Sequence, residues 1–192
     1  MSQPNSEIYV VYHPHYINYA ALKWRRYCQL REGLEILPPG PITPQRQEAV
    51  DEWCAEGTAT ILFCALALES MGYHICHEWF GEAVAVSRFG QCSPVRRWFE
   101  ALHEKFGRTF DKQGEPYRLL KETFEIRNNL AHRKSKSNQG PPIDAAMAVS
   151  FRPDWAEIAV KALRAVPAEA LRITNNDGFR QESEMIDRLF AT

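Results

Sequence analysis

From about Gln45 to Met71, apolar side chains recur at helical spacing around much of a helix's girth: Val50, Trp53, Cys54, Ile61, Leu62, Ala65, Leu66 and Leu68. A helix apolar on more than one side must be wrapped by other elements, so it belongs in the centre of a bundle. Stretches that alternate β-branched and polar residues are nearly absent, so the wrapping elements are helices rather than a sheet. The expected fold class is therefore all-α, a bundle of about five core helices with an N-terminal aromatic and basic arm.

Punctuation along the chain sets the expected boundaries. Residues 1–15 read as a loose arm with a candidate short strand at Ile8–Tyr12, followed by a helix over 16–36. The run Pro38-Pro39-Gly40-Pro41-Ile42-Thr43-Pro44 ends that helix, because proline removes donors and fixes φ. Residues 1–44 thus form an arm and stiff linker, and 45–192 form the bundle. Gly72 is expected to close the long helix, and a second helix should run from His74 to Phe89 and end at Gly90. Ser93-Pro94 is a cap with proline in the first turn, opening a third helix that Gly107 stops. A fourth starts at Glu115-Pro116 and runs to His132 or beyond, before a polar loop over 134–142. A fifth spans Pro153 to about Val166, Thr174–Gly178 is a turn, and a terminal helix covers about Gln181 to Phe190.

With 192 residues, 45% of them hydrophobic, the chain suits one compact domain with appended segments. The formal net charge of −1 provides no global field to hold nucleic acid non-specifically, so any such role needs a local cluster. The N-terminus Met1-Ser2-Gln3-Pro4 is no secretory signal, and the apolar run from Ile61 to Leu68 reads as too short for a bilayer. Together these point to a soluble, cytoplasmic protein with no membrane partner. The five cysteines (Cys28, Cys54, Cys64, Cys76, Cys92) are odd in number and contain no C-x-x-C pair, which fits reduced thiols.

The informative oddity lies in the fourth helix. On a helical wheel starting at Leu119, the residues Leu120, Phe124, Ile126, Leu130 and Ala131 define an apolar arc, with Arg127 in its middle at about 80°. A guanidinium keeps its proton, so its burial costs several kcal/mol (on the order of 3–5) unless partners satisfy it. Either Arg127 pairs with a core carboxylate such as Glu69 and fixes the bundle register, or it is aimed at an anion in a cleft or subunit seam. Asn128 and His132 are four apart and share the polar face with Lys121 and Glu125. Arg133, Lys134 and Lys136 complete a local positive cluster that could bind phosphate as well as face solvent.

The segment Arg127-Asn128-Asn129-Leu130-Ala131-His132 resembles the motif of the HEPN superfamily (higher eukaryotes and prokaryotes nucleotide-binding), an Arg and a His separated by four to six residues, commonly with Asn after the Arg. The resemblance covers about residues 45–170. It implies a metal-independent endoribonuclease with no cofactor, often part of a toxin–antitoxin, defence or RNA-processing system. It also implies a homodimer in which two motifs face one cleft, an RNA substrate, and an antitoxin or other regulatory protein. By similarity, His132 would be general acid or base, Arg127 would stabilise phosphorane charge, and Asn128 would orient either. Arg133, Lys134 and Lys136 would bind substrate. Arg127 and His132 lie roughly 140° apart on a regular helix, so a twofold partner or a helix distortion is needed to bring both onto one phosphate. The alternative is a non-catalytic dimeric module that binds protein or nucleotide.

Two other constellations carry less. His74-Ile75-Cys76-His77-Glu78 offers ligand atoms but no second cluster to complete a tetrahedral site, so no metal is expected. His13-Pro14-His15 is similarly thin. In the arm, Tyr16, Tyr19, Trp24 and Tyr27 interleave with Lys23, Arg25, Arg26 and Arg31, a pattern that suits base stacking or, equally, a helix docked on the bundle.

Overall fold

The computed structural model describes residues 12–36, 43–136 and 151–191, and for 36 and 132–136 the backbone alone. Every regular element among these is helical: α1 (His13–Ile36), α2 (Pro44–Phe80), α3 (Glu82–Val84) running into a π-helical turn (Ala85–Phe89), α4 (Pro94–Phe106), α5 (Glu115–Lys136), α6 (Pro153–Thr174) and α7 (Asp177–Leu189). The all-α expectation holds. The candidate strand at 8–12 falls outside the described residues except for Tyr12, which is not extended into a strand.

The spine is α2, 37 residues long. The Thr43 hydroxyl accepts from the Arg46 amide and Pro44 occupies the first turn, one residue ahead of the expected start at about Gln45. The predicted stop at Gly72 is wrong. The helix continues through it because Gly72 serves packing rather than termination: a Cβ there would lie 2.7 Å from Nε1 of Trp98. The fully buried indole lies against the bare backbone and donates to the Leu68 carbonyl at 2.9 Å. Gly57 plays the same role against the Phe151 ring, with a virtual Cβ at 2.3 Å. The real end is Gly81, at φ 81°, whose amide caps the His77 carbonyl. What the sequence presents as a second long helix is thus the last turns of α2 followed by a bent corner.

Continuity also revises the membrane argument. One 18-residue window of α2 is long and apolar enough by composition to cross a bilayer, which the shorter run Ile61–Leu68 did not suggest. More than half of that window, 56%, is covered by the rest of the bundle, as expected of a core helix.

Around α2, α1 runs antiparallel, since Tyr19 stacks on Phe63 while Lys23 reaches Glu56 and Arg26 reaches Glu52. The helices α4, α5 and α6 close the other side, burying Trp98, Leu102, Leu120, Phe124, Leu163 and Val166. Ser93 caps α4 and Gly107 ends it at φ 65°, both as predicted. The expected end of the fifth helix at Val166 is too early: α6 passes through Pro167 to Thr174. Proline forfeits one bond to the preceding turn, yet Val166, Pro167 and Ala170 are buried together, and that packing outweighs the lost bond. Asn175, at φ 50°, and the Asn176 cap then turn the chain into α7, four residues earlier than expected.

The N-terminal segment resolves toward docking. Tyr27 is buried between Trp24 and Trp53, with ring centroids at 5.3 and 5.4 Å, and its hydroxyl donates to the Pro153 carbonyl at 2.9 Å. Three of the four cations are matched to carboxylates, Lys23 with Glu56, Arg26 with Glu52, and Arg31 with Glu35 and Glu157, while Arg25 donates to the Ala21 carbonyl at 3.3 Å. Tyr16, Trp24 and Tyr27 pack against the bundle, and Tyr19, though exposed, stacks on Phe63.

Candidate functional site

The helix that carries the motif is fixed before the motif begins. Gly107 turns the chain out of α4, Phe110 is buried, and a turn closed by the Gly114 amide on the Asp111 carbonyl (2.9 Å) delivers Glu115 to the start of α5. The acidic residue in this first turn complements the helix dipole. Leu119, Leu120, Thr123, Phe124 and Ile126 are buried, and the Thr123 hydroxyl is satisfied by the Leu119 carbonyl at 2.8 Å. Lys121, Glu125 and Asn128 are exposed, as the wheel drawn from sequence places them, and Asn129 is exposed beside them. Ala131 departs from it and is exposed.

Arg127 stands at the edge of the buried stripe. Its Nη1 donates to Oε2 of Glu69 on α2 at 2.9 Å, with side-chain exposures of 24% and 33% for the two partners. The carboxylate named from sequence as a candidate partner is the one it meets. The guanidinium also lies 5.0 Å from the centroid of the Phe124 ring, a cation–π contact worth about 0.5–1 kcal/mol at such exposure. An ion pair this accessible contributes on the order of 1 kcal/mol. Nε of Arg127 is buried and has no hydrogen-bond partner among the described residues. The contacts therefore orient the cation without using its full donor capacity of five N–H groups.

The structure brings Arg127 and Glu69 together but not Arg127 and Asn128, which project about 100° apart on the helix and differ in exposure. The backbone of His132, Arg133, Lys134 and Lys136 continues α5, so the helix runs past the motif into the segment read as a loop. The side chains of these four residues lie outside the described residues.

Sequence reasoning missed two buried groups. Arg97 is buried and donates to the carbonyls of Phe89 and Cys92, both at 3.2 Å, with its guanidinium over the Tyr73 ring. It ties the corner after α2 to α4. His13, at the start of α1, pairs with Glu182 of α7 and lies beside His74 of α2. The His13 pairing was not legible because Glu182 is far away in sequence, and the Arg97 contacts were not because they depend on how the corner after α2 bends. Among the described residues no group of three or more His, Cys, Asp or Glu is placed to hold a metal ion. The cysteines form no disulfide, and burial pushes the thiols of Cys64 and Cys76 up, the latter to about 12.

In comparison with known proteins, the chain matches no family model, no curated protein and no solved structure.

Proposed function

We propose that this chain is a cytoplasmic HEPN-type helical domain that acts as a homodimeric, metal-independent endoribonuclease, with Arg127 and His132 as its working pair and Asn128 assisting. The observation that carries the reading is the setting of Arg127. The guanidinium of the Arg127–His132 segment is held between α5 and α2 yet remains a quarter exposed, with one N–H engaged by a carboxylate among the described residues. A positioned cation at the rim of a core suits developing phosphate charge, since its planar donors need little reorganisation.

In the proposed reaction, imidazole chemistry at His132 removes the ribose 2′-OH proton, and the 2′-oxygen attacks phosphorus. The bond to the 5′-oxygen breaks, and that oxygen takes a proton from the second motif of the dimer. The products are a 2′,3′-cyclic phosphate and a 5′-hydroxyl. Arg133, Lys134 and Lys136 would hold flanking phosphates. A toxin or defence role with a regulatory protein partner fits an enzyme that cuts cellular RNA.

The test is incubation of purified protein with cellular RNA in EDTA, with analysis of the cleavage termini. Cyclic phosphate ends that vanish in His132→Ala and Arg127→Ala support the reading. Intact RNA with the unaltered protein refutes it.

The Glu69 pairing favours a second reading, a non-catalytic interaction module of the same fold. A carboxylate at 2.9 Å neutralises the cation that catalysis needs, and it fixes α2 to α5. Under this reading Arg127→Ala weakens dimerisation or partner binding, and no nuclease activity exists to be lost.

A further inference from the structure

A cluster of titratable side chains from three helices lies apart from the α5 motif. His13, the first residue of α1, is almost wholly buried, and its Nε2 meets Oε1 of Glu182 on α7 at 2.5 Å, with side-chain exposures of 5% and 18%. Its Nδ1 is buried without a hydrogen-bond partner among the described residues. The His74 ring of α2 lies 5.4 Å from the His13 ring, tilted by 41°. His74 is itself flanked along α2 by Glu78, at 3.5 Å from Nε2, and by His77. Among the described residues, the charged and titratable groups that act on the histidine pair include Glu182 from α7 and His77 and Glu78 from α2.

We propose that His13, His74 and Glu182 form an acid-sensitive latch, closed near neutral pH, that fastens the N-terminal end of α1 to α2 and α7 and opens on acidification. With His74 neutral, one imidazole faces one carboxylate in a confined space, and the His13–Glu182 bond joins α1 to α7. A proton on His74 puts a positive charge a ring's width from His13, in a setting with little water to solvate it. His13 also sits at a helix N-terminus, where the dipole opposes a cation.

The direction follows from His74. Burial, with help from His13 and His77, holds its pKa below the usual histidine value, while Glu78 and Glu182 pull the other way. With α1 released, His74 therefore takes its proton at a higher pH than it does with α1 docked. Stability of the junction is present above about pH 6.5, the unfolded value, and is lost as pH falls from there through the docked value.

The experiment is hydrogen exchange of the intact chain by mass spectrometry at about pH 7.5 and about pH 5.5, corrected for the intrinsic pH dependence of exchange, comparing wild type with His74→Gln and His13→Gln. Residues 13–20 should lose protection at least about tenfold in wild type at the lower pH, a change of about 1.4 kcal/mol, while α6 amides stay protected. In His74→Gln, where one ring can no longer charge, that loss should shrink to under about threefold. His13→Gln, which keeps a donor for Glu182, should behave likewise and serves if the first variant fails to fold. Equal losses in wild type and both variants, or no loss in wild type, overturn the proposal.

Discussion

Replacing Gly72 with alanine tests the claim that this glycine is a contact point rather than a helix stop. Were it merely a mid-helix glycine, alanine would stabilise α2 by about 1 kcal/mol through backbone propensity. The structure predicts the opposite sign. The new methyl would lie 2.7 Å from Nε1 and 2.9 Å from Cδ1 of Trp98, too close for any side chain, so the indole must move. Trp98 is fully buried, and a shift of its indole presses on neighbours such as Phe110 and Phe179, whose rings lie 6.1 and 5.9 Å away. Overpacking of this kind costs about 1–3 kcal/mol. Displacement also strains or breaks the Nε1 bond to the Leu68 carbonyl, leaving buried polar groups unpaired for about 1–3 kcal/mol more. Against the propensity gain of about 1 kcal/mol, the net expectation is a loss of roughly 3 kcal/mol. Urea denaturation followed by far-UV circular dichroism measures it. A neutral or stabilising Gly72→Ala would show that the close approach of Trp98 to α2 is not as described.

Other outcomes follow from single contacts. Arg97→Met should destabilise by about 2–3 kcal/mol in the same assay, since it leaves the Phe89 and Cys92 carbonyls without their charged donor. Tyr27, its pKa raised to about 12 by burial, should keep its proton in the folded state when unfolded chains lose theirs near pH 10. Stability should therefore fall between pH 10 and about 12 by up to about 3 kcal/mol, and Tyr27→Phe should flatten that part of the pH profile. A thiol reagent applied to the native protein should label Cys28 and Cys92 first, with Cys54, Cys64 and Cys76 reacting at the rate of opening. A double-mutant cycle on Arg127→Met and Glu69→Gln should return a coupling near 1 kcal/mol, and a value near zero would remove the register role of the pair.

Helix starts were legible because they are local. Thr43-Pro44 and Ser93-Pro94 contain the cap and the compatible proline within a few residues, and both work as written. Ends were less so. Gly72 and Pro167 carry the chemistry of a stop, but each is overruled by a buried partner, Trp98 in one case and the Val166–Ala170 packing in the other, that no local window contains. The site divides the same way. A cation on an apolar arc announces a nearby carboxylate or an anion to be bound, and of the two the structure shows the carboxylate, Glu69. The approach of His13 to Glu182, by contrast, spans nearly the whole chain and left no periodic trace.

Because α2 has no interruption between Pro44 and Phe80, it has no joint. Glu69, which grips α5, and His74, which neighbours the start of α1, are separated on it by only about 7.5 Å of axial rise. A rigid rod gripped at two points so close together cannot yield at one without tilting at the other. Whatever docks on or pulls away the first helix therefore acts through a short lever on the seat of Arg127.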